Sequence, residues 1–155
     1  MLWPDMTWMF ILAYDVWNFQ YTYLNLPTHS WYCGVALLLA PTFAAAFWNK
    51  GGWIQNRANT LALWCMFAQV FPLFQDQGKF AVIPRLYADG FMDAATHPTA
   101  ADPTAQGVIS VLSIVVNVVV FAAIIKRSMK LKKNPYKEEI WKGTKDYEEA
   151  MSRAE

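Results

Sequence analysis

Three long stretches of this chain carry no charged side chain, and that limits its possible folds more than any other feature. No Asp, Glu, Lys or Arg lies between Asp15 and Lys50, between Arg57 and Asp76, or between Asp102 and Lys126. Water-soluble domains spread charge along their elements at about 25% of residues. Here charged residues make up 16%, against 55% hydrophobic and 16% aromatic. A helix needs ~20 mainly apolar residues to cross a bilayer. Four segments meet that need, at about residues 6–26, 30–48, 56–75 and 107–125. The last is rich in Val and Ile, which in water would favour a strand. Its length favours a helix, because a strand crosses in ~9–11 residues and a lone strand leaves its backbone unsatisfied in lipid.

The expected fold is therefore all-α. It is an integral membrane bundle of four transmembrane helices, with an outer amphipathic segment and a cytoplasmic C-terminal helix. Residues 1–133 form the transmembrane domain and 134–155 the cytoplasmic tail. The chain length suits one domain. The N-terminal residues lack the basic region of a signal peptide, and the first crossing starts almost at residue 1, as in one part of a larger assembly.

The breaks between segments carry turn chemistry. Leu26-Pro27-Thr28-His29 is a turn, since proline cannot continue the helix. Pro41 should kink the second segment and free the carbonyl of Leu37. Ala36, Ala40 and Ala44 of that segment form a small-residue row for close helix approach. Asn49-Lys50-Gly51-Gly52-Trp53 reads as a loop. Pro84 to Asp93 has the pattern of a short amphipathic helix, with Arg85 and Asp89 as an i,i+4 pair, and His97 to Gln106 reads as irregular. After the fourth segment, Asn134-Pro135 resembles an N-cap and first-turn pair opening a tail helix, which Gly143 weakens by ~1 kcal/mol relative to Ala.

Wound as a helix at about 100° per residue, the first segment puts Asp15, Asn18, Thr22 and Asn25 on one face, at spacings 3, 4 and 3. A carboxylate inside a span is costly, so this face should turn toward other helices or a watery cavity. It has the chemistry to bind a cation, relay a proton or hydrogen-bond a polar solute. The plainer reading is helix–helix glue, where such contacts contribute ~0.6–2 kcal/mol each. Gln69 on the third segment and Asn117 on the fourth are expected at similar depth. They complete a candidate substrate- or ion-binding set. Gln106, Ser110, Ser113 and Asn117 give the fourth segment a polar side to turn inward.

Lys126, Arg127, Lys130, Lys132 and Lys133 crowd the end of the fourth segment. Near an anionic bilayer each contributes ~1 kcal/mol, so they are expected to contact anionic lipid headgroups. By the positive-inside rule they make the C-terminus cytoplasmic. Counting back through four crossings makes the Lys50/Arg57 loop cytoplasmic, the acidic 77–106 loop external and the N-terminus cytoplasmic. Of the aromatics Trp3, Trp8, Trp31, Tyr32, Trp48, Trp53, Tyr136 and Trp141, most fall near segment ends, as an interfacial aromatic belt does.

Other chemistry is thinly represented. Asp89, Asp93 and His97 have a loose metal-ligand spacing, but in a loop they read as a solvated surface, so no metal is expected. Cys33 and Cys65 sit at different depths, too far apart for a disulfide, and read as buried thiols. There is no phosphate loop, dinucleotide fingerprint, nucleophile elbow or Cys-x-x-Cys pair, so no cofactor is expected and nothing supports an enzyme. Nucleic acid is not an expected partner, because the basic cluster has no interleaved aromatics.

Three stretches carry a family resemblance: Tyr14-Asp15-Val16-Trp17-Asn18-Phe19-Gln20-Tyr21, His29-Ser30-Trp31-Tyr32-Cys33-Gly34 and Asn56-Arg57-Ala58-Asn59-Thr60-Leu61. They are similar to an uncharacterised family of bacterial multi-pass inner-membrane proteins, a domain of unknown function. The resemblance covers the first three segments, about half the chain. It implies a bacterial inner membrane location and supplies no activity or site residues. Such proteins are longer, which makes this chain the counterpart of a C-terminal half. The function expected from the residues is a transporter or channel component for a small polar or cationic solute, in an oligomer or beside another membrane subunit. The alternative is a structural or assembly subunit, and the third reading is a membrane-embedded enzyme.

Overall fold

The computed structural model describes residues 7–25, 33–70 and 103–153, without the side chains of Asn25, Cys33, Ala68 and Gln69. Among the described residues every regular element is helical. Helix α1 is Trp8–Asn25. A π-helical run, Cys33–Leu39, continues as α2, Ala40–Phe47. Helix α3 is Trp53–Val70, α4 is Pro103–Leu131 and α5 is Lys145–Ser152. The turn at Pro27, the amphipathic segment Pro84–Asp93 and the Asp89/Asp93/His97 group lie outside the described residues.

Helix α4 is longer than the sequence reading gave it. It starts at Pro103, not Gly107, because proline at the first helical position loses no hydrogen bond and has its φ preset. It runs on through Lys126 and Lys130 to Leu131. It ends with Lys132 in the left-handed region at φ 55. The Lys132 N–H donates to the Met129 carbonyl and the Lys133 N–H to the Ser128 carbonyl, a pairing that satisfies the last carbonyls.

Helix α1 packs chiefly along α4. The polar side of α4 faces α1, as expected. Ser113 is buried, and Gln20 Nε2 donates to Ser110 Oγ at 3.3 Å. Asn117 Nδ2 donates to the carbonyls of Ser113 at 2.9 Å and Ala13 at 3.4 Å.

Helices α2 and α3 form a hairpin. The amides of Asn49 and Asn56 pair reciprocally across its turn, at 3.0 and 2.7 Å. Gly51 takes φ 83. Among the described residues of the second segment the buried ones are Gly34, Leu37, Leu38, Pro41 and Ala45, not the alanine row, of which Ala40 is exposed. The π-helical run explains the shift. Its i→i+5 bonds hold more residues per turn than the 3.6 assumed for that row. The wider turns also accommodate Pro41, which has no N–H and would crowd the preceding turn of an α-helix.

The tail departs most from expectation. Residues 135–137 form a turn, where the Asn134 carboxamide accepts from the Tyr136 N–H at 2.9 Å. No helix opens at Asn134–Pro135. The helix waits until after Gly143, whose φ of 81 suits glycine alone, and it is capped by Thr144. The segment folds back onto the bundle. Ile140, Trp141 and Tyr147 pack against Met9, Phe10 and Ile124. The Arg127 guanidinium lies 5.0 Å over the Trp141 ring, and its Nε–H donates to the Ile140 carbonyl at 2.5 Å. The start of α1, the α2–α3 turn and the end of α4 thus meet the tail at one end of the molecule.

Among the described residues α4 is the one helix long and apolar enough to cross a membrane, and Gly34–Phe47 is apolar but shorter. Only 11% of the apolar window of α4 is buried within the chain. Its exposed face carries Val108, Leu112, Val115 and Val119. Helix α3 likewise exposes Leu61, Leu63, Met66 and Phe67. Cys65 is exposed there too. It was expected to be buried, but α3 turns its apolar side outward.

Candidate functional site

Asp15 sits midway along α1 and faces α2. The Thr42 hydroxyl donates to Asp15 Oδ2 at 2.6 Å. Thr42 in turn accepts from the Trp53 indole N–H at 2.9 Å. Trp53 is 2% exposed and packs edge-on to Tyr14 at 4.9 Å between ring centroids. One hydrogen-bonded chain therefore ties three helices to one carboxylate. Asp15 Oδ1 is shielded from solvent and has no hydrogen-bond partner among the described residues.

A cleft of about 480 Å³ opens beside Asp15. Trp8, Ile11 and Leu12 of α1 and Ala45 and Ala46 of α2 give it apolar walls. Asp15 and Thr42 supply its inner polar groups, and Lys50, Gly51 and Asp146 form its mouth. The volume lies in the ~300–1,000 Å³ range of small-molecule sites. At the mouth, Lys50 Nζ is 3.2 Å from both Asp146 and Glu149. Partial burial works against the charge on Lys50. The hydrogen bonds and negative charges of Asp146 and Glu149 outweigh it and hold the ammonium above its ordinary pKa. Arg153 bonds Glu149 at 3.3 Å and donates to the Trp48 carbonyl, which draws α5 against the turn.

The other expected site residues distribute differently. Asn18 and Thr22 share the Asp15 face, but the cleft runs from Asp15 toward Trp8, away from them. Thr22 is 8% exposed and its hydroxyl donates to the Asn18 carbonyl of its own helix at 2.7 Å. Asn117 lies in a separate groove of about 280 Å³ between α1 and α4, with Ala13, Tyr14 and Trp17. It does not join Asp15. The side chains of Asn25 and Gln69 lie outside the described residues. In the basic cluster Lys126, Lys130 and Lys132 are exposed, whereas Arg127 is committed to Trp141 and Ile140.

Arg57 was expected at the very start of the third segment and was counted with the Lys50 loop for topology. It belongs to the second turn of α3, because the helix starts at Trp53. Its Nε and Nη1 are shielded from solvent and have no hydrogen-bond partner among the described residues, and its charge acts on Asp15. Thr42, Lys50, Trp53 and Asp146 escaped the sequence reading as site residues. Thr42 did carry a signal, as the sole hydroxyl between Gly34 and Trp48. Asp146 carried none, because its approach depends on the fold-back of the tail. Among the described residues no cluster has the make-up of a metal site.

Residues 1–153 match one protein family along their whole length, the Family of unknown function (DUF5692). The chain belongs to that family. The match to DUF5692 extends through α4 and the tail, well beyond the three N-terminal stretches that carried the resemblance. No curated protein and no solved structure matches the chain.

Proposed function

We propose that this chain is a transport or channel subunit of a bacterial inner membrane, moving a small cationic solute, with Asp15 as the binding residue. The observation that carries this reading is Asp15 itself. It is a half-buried carboxylate that lines a small-molecule-sized cleft, in a molecule whose helices α3 and α4 expose apolar side chains. A carboxylate in such surroundings is a functional candidate by default. The residues lining the cleft include two carboxylates, Asp15 and Asp146, against one lysine, Lys50, which favours cations.

The membrane part of the proposal is four crossings with both termini cytoplasmic. The outward face of α4 supports it, with Val108, Leu112, Val115 and Val119 leading in line to Lys126 and Lys130. That is the pattern of a lipid-facing helix ending among anionic headgroups. Helices α1 and α3 are less apolar by composition, since α1 carries the Asp15 stripe and α3 carries Arg57. They cross in this reading because their polar groups turn toward neighbouring helices. A second copy or another membrane subunit would complete the enclosure.

The assembly-subunit reading keeps one specific support, the Thr42–Asp15 bond, which joins α1 to α2 as structural glue does. Flux in proteoliposomes, screened over organic and inorganic cations, separates the two. Asp15→Asn should abolish flux while the protein stays folded. Retained flux in that variant would overturn the role of Asp15.

A further inference from the structure

We infer that the Asp15 cleft is built for an organic cation that joins a single ammonium group to an apolar body. This inference rests on the cation reading above and names the ligand class. It follows from what the cleft offers and what it lacks. Hard metal ions take six or more oxygen ligands. Beside Asp15 the cleft adds one hydroxyl, Thr42 Oγ1, which already donates to Asp15 Oδ2 and accepts from Trp53. A sugar-like solute would need several fixed donors and acceptors, and its hydroxyls would go unpaired against Ile11, Leu12, Ala45 and Ala46, at a cost for each.

An ammonium group on a hydrocarbon or aromatic frame meets the opposite situation. Its charge faces the Asp15 carboxylate at the inner end of the cleft, where the one hydroxyl beside it, that of Thr42, is already spent on Oδ2. Its frame meets the Trp8 ring and the aliphatic walls, where burial contributes ~25 cal/mol per Å² of apolar surface. The cleft volume, about 480 Å³, exceeds what a hydrated alkali ion uses. At the mouth Lys50 is already paired with Asp146 and Glu149. So paired, Lys50 does not repel the ligand, and Asp15 and Asp146 are the two carboxylates that line the cleft.

Phenethylamine is a suitable probe, with 2-phenylethanol as its neutral counterpart and sodium as the inorganic comparison. The readout is alkylation of a cysteine at the cleft wall, Ala46→Cys, in the full chain with Cys33 and Cys65 replaced by Ser. Saturating phenethylamine should slow alkylation about tenfold, a protection set by occupancy rather than by flux. 2-Phenylethanol and sodium should not. Asp15→Asn should remove the protection and Asp15→Glu should retain part of it, which controls for misfolding. Equal protection by 2-phenylethanol, protection by sodium, persistence of protection in Asp15→Asn, or no protection by phenethylamine would each overturn the ligand class. Protection without flux would overturn transport alone, and sodium flux without amine protection would overturn the ligand class alone.

Discussion

A methyl group on Gly52 would lie 2.7 Å from Asn49 Nδ2 and 2.9 Å from the Asn49 carbonyl oxygen. The carbonyl is backbone and cannot swing away. Gly52→Ala is therefore expected to destabilise the protein by about 1–3 kcal/mol, read as a lower melting temperature in detergent. Lys132 points the other way. A β-carbon in the left-handed region costs about 1–2 kcal/mol, and Lys132 sits there at φ 55. Lys132→Gly should raise the melting temperature even though it removes a cation from the basic cluster. Both effects depend on dihedrals or contacts that the residue types do not specify. Asp15 was legible from sequence because a carboxylate amid apolar residues is conspicuous wherever it points. Thr42 and Trp53 were not, since their role is set by which helices pair and at what register. The third helix starts at Trp53 and not at about Asn56, which puts Arg57 in its second turn, half-buried and acting on Asp15.

The existence and type of the helices were legible, because charge-free runs of that length have few other solutions. The internal geometry of the second segment was not, because a π-helical run changes the period that the face assignment assumes. The tail was readable as helix-forming but not as docked. Its amphipathic signal is short, and the surface that receives it is assembled from both ends of the sequence. Trp141 is the centre of that docking, touching Phe10 edge-on at 6.5 Å and lying under Arg127. Trp141→Ala should lose several kcal/mol, about 3–5 for a buried aromatic, and should expose residues 134–153 to proteolysis while α1 and α4 stay protected. The Lys50 pairs are weaker, at ~0–1 kcal/mol each, so Lys50→Gln should speed amide exchange in α5 without undocking Trp141. The sign of the pH effect follows from the raised pKa of Lys50 in the folded protein. Its contribution is complete below the ordinary lysine value of 10.5 and fades only as pH climbs beyond it. Exchange in α5 should therefore show no Lys50-dependent change around neutral pH.

At the scale of the whole molecule, the tail gathers the start of α1, the α2–α3 turn and the end of α4. That arrangement bears on topology independently of charge counting. Arg57 belongs to α3, so the positive-inside argument for the turn rests on Lys50, and Lys50 is itself paired with two carboxylates. The contacts of the tail supply a different reason to put the turn and the C-terminus on one side. Arg153 donates to the Trp48 carbonyl and Asp146 reaches Lys50, which no chain segment could do through a bilayer. In the proposed topology the opposite side is reached through α4. Its charge-free part, residues 103–125, spans about 34 Å at the ~1.5 Å rise of a helix, enough for the ~30 Å hydrocarbon thickness. Single cysteines at Asn49 and Tyr136, both exposed, should then react with an impermeant thiol reagent from the same face of sealed vesicles, and one at Thr99 from the other face. Labelling of Thr99 and Tyr136 from one face would remove α4 as a crossing. Labelling of Asn49 and Tyr136 from opposite faces would break the link between tail and turn. A companion variant tests depth. Val115→Arg, midway along the exposed face, should impair membrane integration by about 2.5–3.5 kcal/mol. The same change at Met129, among the cations, should be tolerated.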